Sequence, residues 1–306
     1  VRIHTQAPLA FAPETFQYRQ PDQERLTELF QTFEFRQLQH AFAGPAERPE
    51  KHYQAVTNAA DLAALISAMT AAGRFALDTE TTSPHPMRAL LVGLSVAWEP
   101  HVAYYIPCGH RYLGAPSQLD RETVLNRLRP LLENPVVEKI GQNIKYDAIV
   151  LARHGIKLEG IAYDTMIASY LLNPSKRSHS LDQIALDFLG HKNITYEEVA
   201  GKGRQQVTFD MVPLEEAVPY ACEDADITLL ACQTLVPQIE ALALTDLMKR
   251  VELPLIPVLM RMEMNGVLLD TDRLRTLSGS FQKQLEAVEA EIHTLAGEPF
   301  NIKSSQ

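Results

Sequence analysis

Four carboxylates in the middle of the chain have the residue types and the spacing of a metal site. They fall in three short segments and are Asp78, Glu80, Asp147 and Asp224. If residues 75–80 form a strand, Asp78 and Glu80 point to the same face, because side chains alternate along a strand. Four clustered carboxylates are very costly unless cations neutralise them. Hard oxygen ligands of this kind suit Mg²⁺ or Mn²⁺.

Two divalent cations bound by this cluster could hydrolyse a phosphodiester bond. Ions about 3.5–4 Å apart can activate the attacking water and stabilise the leaving 3′ oxygen. Asp78, at the strand end, is the candidate to bridge both ions. Glu80 and Asp224 would complete the site that activates the water, and Asp147 would reach the second ion. Tyr220 precedes Asp224 by one helical turn and would orient the water with Glu80, since a phenol with a pKa near 10 is a poor base.

Two further acids flank Asp224 but are separated from it by helical geometry. Asp226 lies about 200° round the helix from Asp224, and Glu223 lies about 100° away. We therefore assign the metal ligand to Asp224 and interpret Glu223 and Asp226 as a solvated or structural edge.

The order of the three segments resembles the motifs of the DnaQ-like 3′–5′ exonucleases. The patterns D-x-E-T, N-x-K-Y-D and Y-x-x-x-D begin at residues 78, 143 and 220, as in the subclass whose last motif contains tyrosine. Residues 51–243 resemble the proofreading domain of bacterial DNA polymerase I, of the A family. The resemblance rests on the stretches GQNIKYDAIVLARHGI, IAYDTMIASYLLNP, ITYEEVAGKG and YACEDADITL. It implies an α/β, ribonuclease H-like mixed sheet flanked by helices, and a metal-dependent exonuclease that releases nucleoside monophosphates from DNA 3′ ends.

The flanking segments resemble other parts of the same polymerase. VELPLIPVLMRMEMNGVLLD and EIHTLAGEPFNIKSSQ resemble the start of the polymerase thumb, and FQYRQPD and LFQTFEF resemble the tail of the 5′ nuclease domain. We therefore expect three parts: residues 1–50 from the nuclease tail and linker, 51–243 as the exonuclease, and 244–306 as the start of the thumb. The chain begins with Val1, which fits a fragment whose parent continues into both neighbouring domains.

The resemblance also implies contacts with a single-stranded or frayed DNA 3′ end. Asn143 and Tyr146 would contact the last nucleotides, with Met166 and Tyr196 near the terminal base or sugar, although Met166 fits a core position equally well. Stacking on bases is tolerant of sequence, which suits a proofreader. The family often has a leucine four residues after the first motif's glutamate, but this chain has Pro84, which is shorter and more rigid.

Two alternatives remain open. An RNA-trimming exonuclease of the ribonuclease D type shares the motif set, but it would not carry the polymerase-like flanks. A non-catalytic domain that braces a polymerase is the other, although such a domain need not keep all four carboxylates and the tyrosine.

Composition sets limits on these readings. A chain of 306 residues allows about two domains, and the net charge of −10 argues against binding nucleic acid by bulk electrostatics. Local contacts are still compatible, and the Gly201–Arg204 loop could follow a phosphate backbone or be a solvated turn. The three cysteines lack zinc-like clustering and suggest reduced, partly buried thiols. Without a signal peptide or an apolar stretch of membrane length, we expect a bacterial cytoplasmic protein and no membrane partner.

Apolar spacing predicts the elements that position these residues. The predicted strands are 75–78, 90–98, 101–107 and 137–141, and the predicted helices are 61–72, 123–132, 146–154, 164–172, 180–189 and 213–242. A further amphipathic helix has apolar residues three or four apart: Leu274, Leu277, Phe281, Leu285, Val288, Ile292 and Leu295. It is predicted to begin the thumb, with a self-contained coiled coil as the alternative.

Overall fold

A computed structural model describes residues 22–33, 35, 38 and 50–304. The chain forms two compact units, Val1–Met260 and Arg261–Gln306. Most of the predicted nuclease tail (1–50) lies outside the described residues, apart from a helix, α1, at Gln23–Thr32. The predicted domain boundary at residue 243 stays a prediction.

A six-stranded mixed sheet forms the centre of the first unit. Its strands are β1 (His52–Ala55), β2 (Arg74–Thr81), β3 (Leu91–Glu99), β4 (Val102–Pro107), β5 (Glu138–Gly141) and β6 (Ile161–Asp164). The order across the sheet is β1-β4-β3-β2-β5-β6. Strands β2, β3 and β4 are antiparallel neighbours, whereas the pairs β1–β4, β2–β5 and β5–β6 are parallel. Strand β2 is thus paired on both sides, which fixes the residues at its end.

Helices pack on both faces of this sheet and continue beyond it. The helices after α1 are α2 (Ala59–Ala72), α3 (Arg121–Leu132), α4 (Ile144–Arg153), α5 (Thr165–Leu172), α6 (Leu181–Ile184), α7 (Tyr196–Ala200), α8 (Leu214–Ala241), α9 (Thr245–Leu247), α10 (Leu253–Asn265) and α11 (Thr271–Ala296). Single π-helical turns occur at Ala185–Leu189 and Met248–Glu252, and 3₁₀ turns at Gly203–Gln205 and Phe209–Met211.

Local sequence explains how the chain enters β2. The Asn58 side chain accepts hydrogen bonds from the amides of Ala60 and Asp61 and so caps the start of α2. Gly73 ends α2 with φ of +68°, a left-handed conformation that favours glycine. Strand β2 begins at the next residue, so the first motif follows directly from a well-capped helix.

Alternation along β2 divides the core into two layers. Phe75 and Leu77 pack with apolar residues of α2, α3 and α4. Ala76 packs on the opposite face, where α8 covers the sheet. Asp78 and Glu80 continue the series begun by Ala76, so the strand directs both towards the α8 side.

The α/β prediction with a mixed sheet flanked by helices is confirmed. The predicted helices and strands lie within a few residues of those observed, and the predicted helix at 180–189 is an α-helical turn followed by a π-helical turn. Strands β1 and β6, of four residues each, were not predicted. The three cysteines are buried and unpaired, as expected.

Helix α11 in the second unit exposes much of its apolar stripe, including Leu274, Phe281, Leu285 and Leu295. Its assignment to a thumb stays a prediction. In the described parts of the chain, no single helix is long and apolar enough to cross a membrane. One pair of helices meets the length and composition criteria jointly but is bent by 116°.

Gly93 is required by the packing of β3 on Tyr105. A Cβ atom there would lie 2.2 Å from the Tyr105 hydroxyl oxygen, and β3 is paired on both sides. We expect Gly93→Ala to lower the free energy of unfolding in urea by about 1–3 kcal/mol. Gly279→Ala, in the open interior of α11, is the control and should be neutral or slightly stabilising. Equal decreases in the free energy of unfolding of Gly93→Ala and Gly279→Ala would contradict this account.

Candidate active site

Three of the predicted ligands meet at the end of β2. Ligand atoms of Asp78, Glu80 and Asp224 lie within 4.8 Å of one another. Strand alternation places the first two on one face, and α8 brings Asp224 against that face. Glu80 is 7% exposed, and its Oε1 atom is buried without a hydrogen-bond partner among the described residues. Glu80 therefore has an oxygen that is free to accept a hydrogen bond or to serve as a cation ligand.

Asp147 lines the same cleft and is held by the first motif itself. It is 2% exposed and lies in the first turn of α4. It accepts hydrogen bonds from the Thr79 amide (3.0 Å) and the Thr79 hydroxyl (2.5 Å). Thr79 lies between Asp78 and Glu80 and points to the other face of β2, so one strand positions three carboxylates.

Burial raises the pKa of every carboxyl in the cluster, and charge repulsion adds to the shift in three of them. Burial raises the pKa of Asp78 to about 6. Burial, with the charge of Asp78 second, raises the pKa of Glu80, Asp147 and Asp224 well above the usual range. The protein alone therefore disfavours four ionised carboxylates here. Divalent cations would reverse that preference, and four oxygen ligands suit Mg²⁺ or Mn²⁺.

An aromatic layer stands beside the cluster. Burial and the Asp224 charge raise the pKa of Tyr220, so its hydroxyl stays protonated. The Tyr220 ring packs against Phe209, with centroids 5.6 Å apart, and against Tyr196 at 6.4 Å. The Tyr196 hydroxyl donates to the Val207 carbonyl at 3.3 Å. Tyr220 can therefore orient a neighbouring molecule but is not set up as a base.

The cleft above the cluster has a volume of about 580 Å³ and brings together most of the predicted substrate contacts. Its lining includes Pro84, Asn143, Tyr146, Tyr196 and Tyr220. Met166 lies half-buried on α5 and is not among the lining residues, so its contact with substrate has no support from the geometry.

Asn143 and Tyr146 are held in defined positions at the start of α4. Asn143 adopts φ of +56° and ψ of +43°, a left-handed conformation that is uncommon outside glycine. The Tyr146 hydroxyl donates to the Ser83 carbonyl at 2.5 Å and makes a short contact with the Thr81 hydroxyl. These bonds tie the ring to the loop that carries Pro84.

Several cleft residues were not predicted from the sequence. They line the cleft beside the motifs and are Thr79, Thr81, Thr82, Ser83, Gln142, Gln206, Val207 and Thr208. Thr79 and Thr81 belong to the first motif in sequence, but alternation alone does not predict that they line the cleft with Glu80. Residues 206–208 carry no comparable pattern.

The expectation that Glu223 and Asp226 form a solvated edge is wrong, and the structural alternative is right. They are 3% and 0% exposed. Glu223 accepts from Lys51 Nζ at 2.6 Å and from His191 Nε2 at 3.0 Å. Asp226 accepts from the Tyr53 hydroxyl at 2.7 Å. The physical reason is that β1 and the loop after α6 cover this side of α8.

The basic loop after α7 stays open between the two interpretations. Lys202 is exposed and pairs with Glu197 at 2.9 Å, and Arg204 is exposed. Two histidines, His85 and His179, lie near the motifs in sequence. His85 is exposed, and the Nδ1 atom of His179 lies 2.9 Å from the Ser169 hydroxyl oxygen.

Comparison with known proteins identifies the domain that carries this site. A family model described as 3′–5′ exonuclease, from the A-type DNA polymerases, matches residues 53–240. The chain belongs to this family. All four carboxylates and Tyr220 lie within the matched residues, so the exonuclease domain contains the whole cluster.

Bacterial DNA polymerases I are similar over most of the chain. The chain is 41% identical over 300 residues to the enzyme of Pseudomonas aeruginosa, covering 93% of this chain and 33% of that protein. It is 42% identical over 251 residues to that of Rhizobium leguminosarum, covering 76% and 25%. The chain thus spans a quarter to a third of the length of these relatives.

Solved structures support the same fold. The POL domain of Pol1 from M. smegmatis, in complex with DNA primer-template and dNTP, has a TM-score of 0.63 at 22% identity, over 82% of this chain and 39% of that one. Brucella melitensis NrnC has a TM-score of 0.51 at 19% identity, over 71% and 95%. At these identities the similarity concerns the fold alone.

The hydrogen bond from Thr79 to Asp147 can be tested by removing one donor. Thr79→Val keeps the shape and the backbone amide but deletes the hydroxyl. We expect the free energy of unfolding to fall by about 0.5–2 kcal/mol, because a buried carboxyl loses one of its donors. Thr79→Ser keeps the donor, so its free energy of unfolding should fall by less, although the substitution deletes a methyl group. The account fails if urea unfolding shows the valine variant to be the more stable of the two.

Proposed function

We propose that the chain is a divalent-cation-dependent 3′–5′ exonuclease that removes nucleotides from single-stranded or frayed DNA ends. It would release nucleoside monophosphates and serve as the proofreading domain of a DNA polymerase I. The observation that carries this proposal is the cluster of Asp78, Glu80 and Asp224, whose ligand atoms lie within 4.8 Å of one another in the lining of a cleft of about 580 Å³.

The donor set fits two Mg²⁺ or Mn²⁺ ions. Asp78, Glu80 and Asp224 would hold one, and Asp147 with Asp78 would hold the other. When bound, the ions would supply the positive charge that activates the attacking water and stabilises the leaving 3′ oxygen. Thr79 keeps Asp147 oriented for this role through its two donors.

The chain's own side chains would orient the attacking water. The buried Oε1 of Glu80 lacks a partner among the described residues and can accept a hydrogen bond. Tyr220 keeps its proton and can donate or accept one, so it would fix the direction of attack without removing the proton. The acid and the tyrosine therefore have different tasks.

Substrate binding would rest on local contacts, since the net charge of −10 gives no general attraction for DNA. Tyr146 and Tyr196 offer ring surfaces in the cleft on which any base can stack. Pro84 and Asn143 complete the lining. A cleft of this type accepts a mispaired end regardless of sequence, which proofreading requires.

The parent protein is proposed to be a DNA polymerase I, with polymerase and 5′ nuclease domains continuous with residues 51–243. The similarity to polymerases of P. aeruginosa and R. leguminosarum, which continues outside the exonuclease domain, supports this. It also favours DNA over the RNA substrate of a ribonuclease D type. The retained carboxylates and the accessible cleft favour catalysis over a bracing role. The bacterial cytoplasmic location remains a prediction.

Labelled single-stranded DNA and RNA of one sequence, incubated with Mg²⁺ or Mn²⁺, test the substrate and the ligands together. We expect stepwise shortening of the DNA from its 3′ end and slower shortening of the RNA. The Asp78→Ala/Glu80→Ala variant should lose at least about 10³-fold in rate, because both ion sites lose ligands. It should remain folded, because like charges are removed from one place.

Three outcomes would count against the proposal. Turnover by the folded double variant at the wild-type rate would refute the ligand assignment. Faster shortening of RNA would favour the ribonuclease D alternative, and a folded wild-type chain without activity would favour the bracing domain.

Calorimetric titration with Mn²⁺ separates the tasks of Tyr220 and Asp224. Tyr220→Phe should lower kcat about tenfold or more while leaving Mn²⁺ affinity unchanged, since only an orienting hydroxyl is lost. Asp224→Ala should weaken Mn²⁺ binding itself, because it removes a ligand. The reverse order of Mn²⁺ affinities would show that the two roles are assigned wrongly.

A further inference from the structure

A second group of buried polar contacts lies behind the aromatic layer, outside the lining of the cleft. It is centred on His110, which is 6% exposed and follows β4. Its Nδ1 lies 3.0 Å from the carbonyl oxygen of Val212, and its Nε2 lies 2.8 Å from the hydroxyl of Tyr105. A carbonyl can only accept, so Nδ1 carries the proton and Nε2 accepts from Tyr105. Burial lowers the pKa of His110, which favours this neutral form.

The next two residues hold the same neighbouring segment. The Arg111 amide donates to the carbonyl of Asp210 at 2.8 Å, and its guanidinium pairs with the Asp210 carboxylate. The Tyr112 hydroxyl accepts from the amide of Leu214 at 3.1 Å. Leu214 is the first residue of α8, where amides lack partners within the helix. The segment after β4 therefore fixes the backbone that leads into α8.

We call His110, Arg111 and Tyr112, with Tyr105, the clamp. The clamp contacts the cleft lining through one buried ring. Phe209 is 0% exposed, and its centroid lies 5.7 Å from that of His110. Its centroid also lies 5.6 Å from that of Tyr220 and 6.4 Å from that of Tyr196. A change at His110 would thus displace both the start of α8 and the ring that supports Tyr220.

Tyr105, on β4, connects the clamp to β3, which is the strand next to the first motif. Tyr105 is fully buried, and its hydroxyl occupies the space that a side chain at Gly93 would fill. Gly93 pairs with Glu80 across β2 and β3. One continuous path of contacts therefore joins the strand that carries Glu80 to the helix that carries Tyr220.

We propose that His110 is a positioning residue, which sets Tyr220 relative to Glu80 and Asp224. It acts through Val212 and Phe209 and does not touch the substrate. The proposal rests on the proposed exonuclease function, because it assigns His110 to the geometry of that site.

A double-mutant cycle with Tyr220→Phe tests the proposal in the full chain. His110→Leu removes both hydrogen bonds, whereas His110→Asn keeps a donor at the position of Nδ1. On single-stranded DNA with Mg²⁺, we expect His110→Leu to lower kcat about tenfold with KM within about twofold, and His110→Asn to recover most of the rate. In the Tyr220→Phe background, His110→Leu should lower kcat by less than about twofold, because the hydroxyl that His110 positions is already absent.

Leu125→Ala, a buried change in α3 on the other face of the sheet, is the control for lost stability. Its effect on kcat should be the same with and without Tyr220→Phe. Tyr105→Phe removes only the donor to Nε2 and is combined with Tyr220→Phe in a second double-mutant cycle. This cycle tests the proposal if His110→Leu does not fold. An additive cycle for both clamp variants would overturn the proposal.

A readout independent of turnover separates this inference from the proposed function. With 3-fluorotyrosine at position 220, the ¹⁹F resonance should shift in His110→Leu or Tyr105→Phe and return towards its wild-type position in His110→Asn. An unchanged resonance in the first two would overturn the positioning role. A folded wild-type chain that leaves DNA intact would refute the exonuclease function, and the ¹⁹F spectrum would still decide whether His110 positions Tyr220.

Discussion

The main physical constraint on the site is that several carboxylates are crowded together at the end of β2, where burial makes their ionised forms unfavourable. Burial and the charge of Asp78 together raise the pKa of its neighbours, so the cluster is unfavourable for the protein alone. A central strand can carry this cost because it is paired on both sides and packed on both faces. The same rigidity prevents the carboxylates from moving apart. A divalent cation bound there would relieve the repulsion among the carboxylates.

Two buried glutamates, one on α8 and one on β2, differ in whether their oxygens have hydrogen-bond donors. Glu223 is about as buried as Glu80, at 3% against 7% exposed. Burial alone would raise the pKa of Glu223, but hydrogen bonds from His191 and Lys51 lower it overall. Glu80 has an oxygen with no such donor among the described residues. A satisfied acid anchors the helix and an unsatisfied one is left for chemistry, so residue type alone does not distinguish the two roles.

Periodicity was sufficient to predict the parts of the site that lie within one element. Alternation gave the common face of Asp78 and Glu80, and a four-residue spacing gave Tyr220 with Asp224. The bond from Thr79 to Asp147 joins residues 68 apart, and no local pattern encodes it. The burial of Glu223 depends on β1, a four-residue strand without apolar alternation. The sequence therefore predicted the elements and the clustering of Asp78, Glu80 and Asp224 better than the contacts that orient them.

Helix α4 positions both a carboxylate of the cluster and the loop that forms the rim of the cleft. Helix α4 carries Tyr146 and Asp147 in its first turn and Arg153 in its last. Arg153 donates to the carbonyls of Pro86 (2.9 Å) and Ala89 (2.5 Å), in the loop between β2 and β3. Tyr146 holds the start of that loop at Ser83. Pro84 is thus part of a segment tied down on both sides, and its fixed φ adds to that restraint. Pro84 is therefore a short, rigid residue on a restrained rim, and it lacks the reach of a leucine.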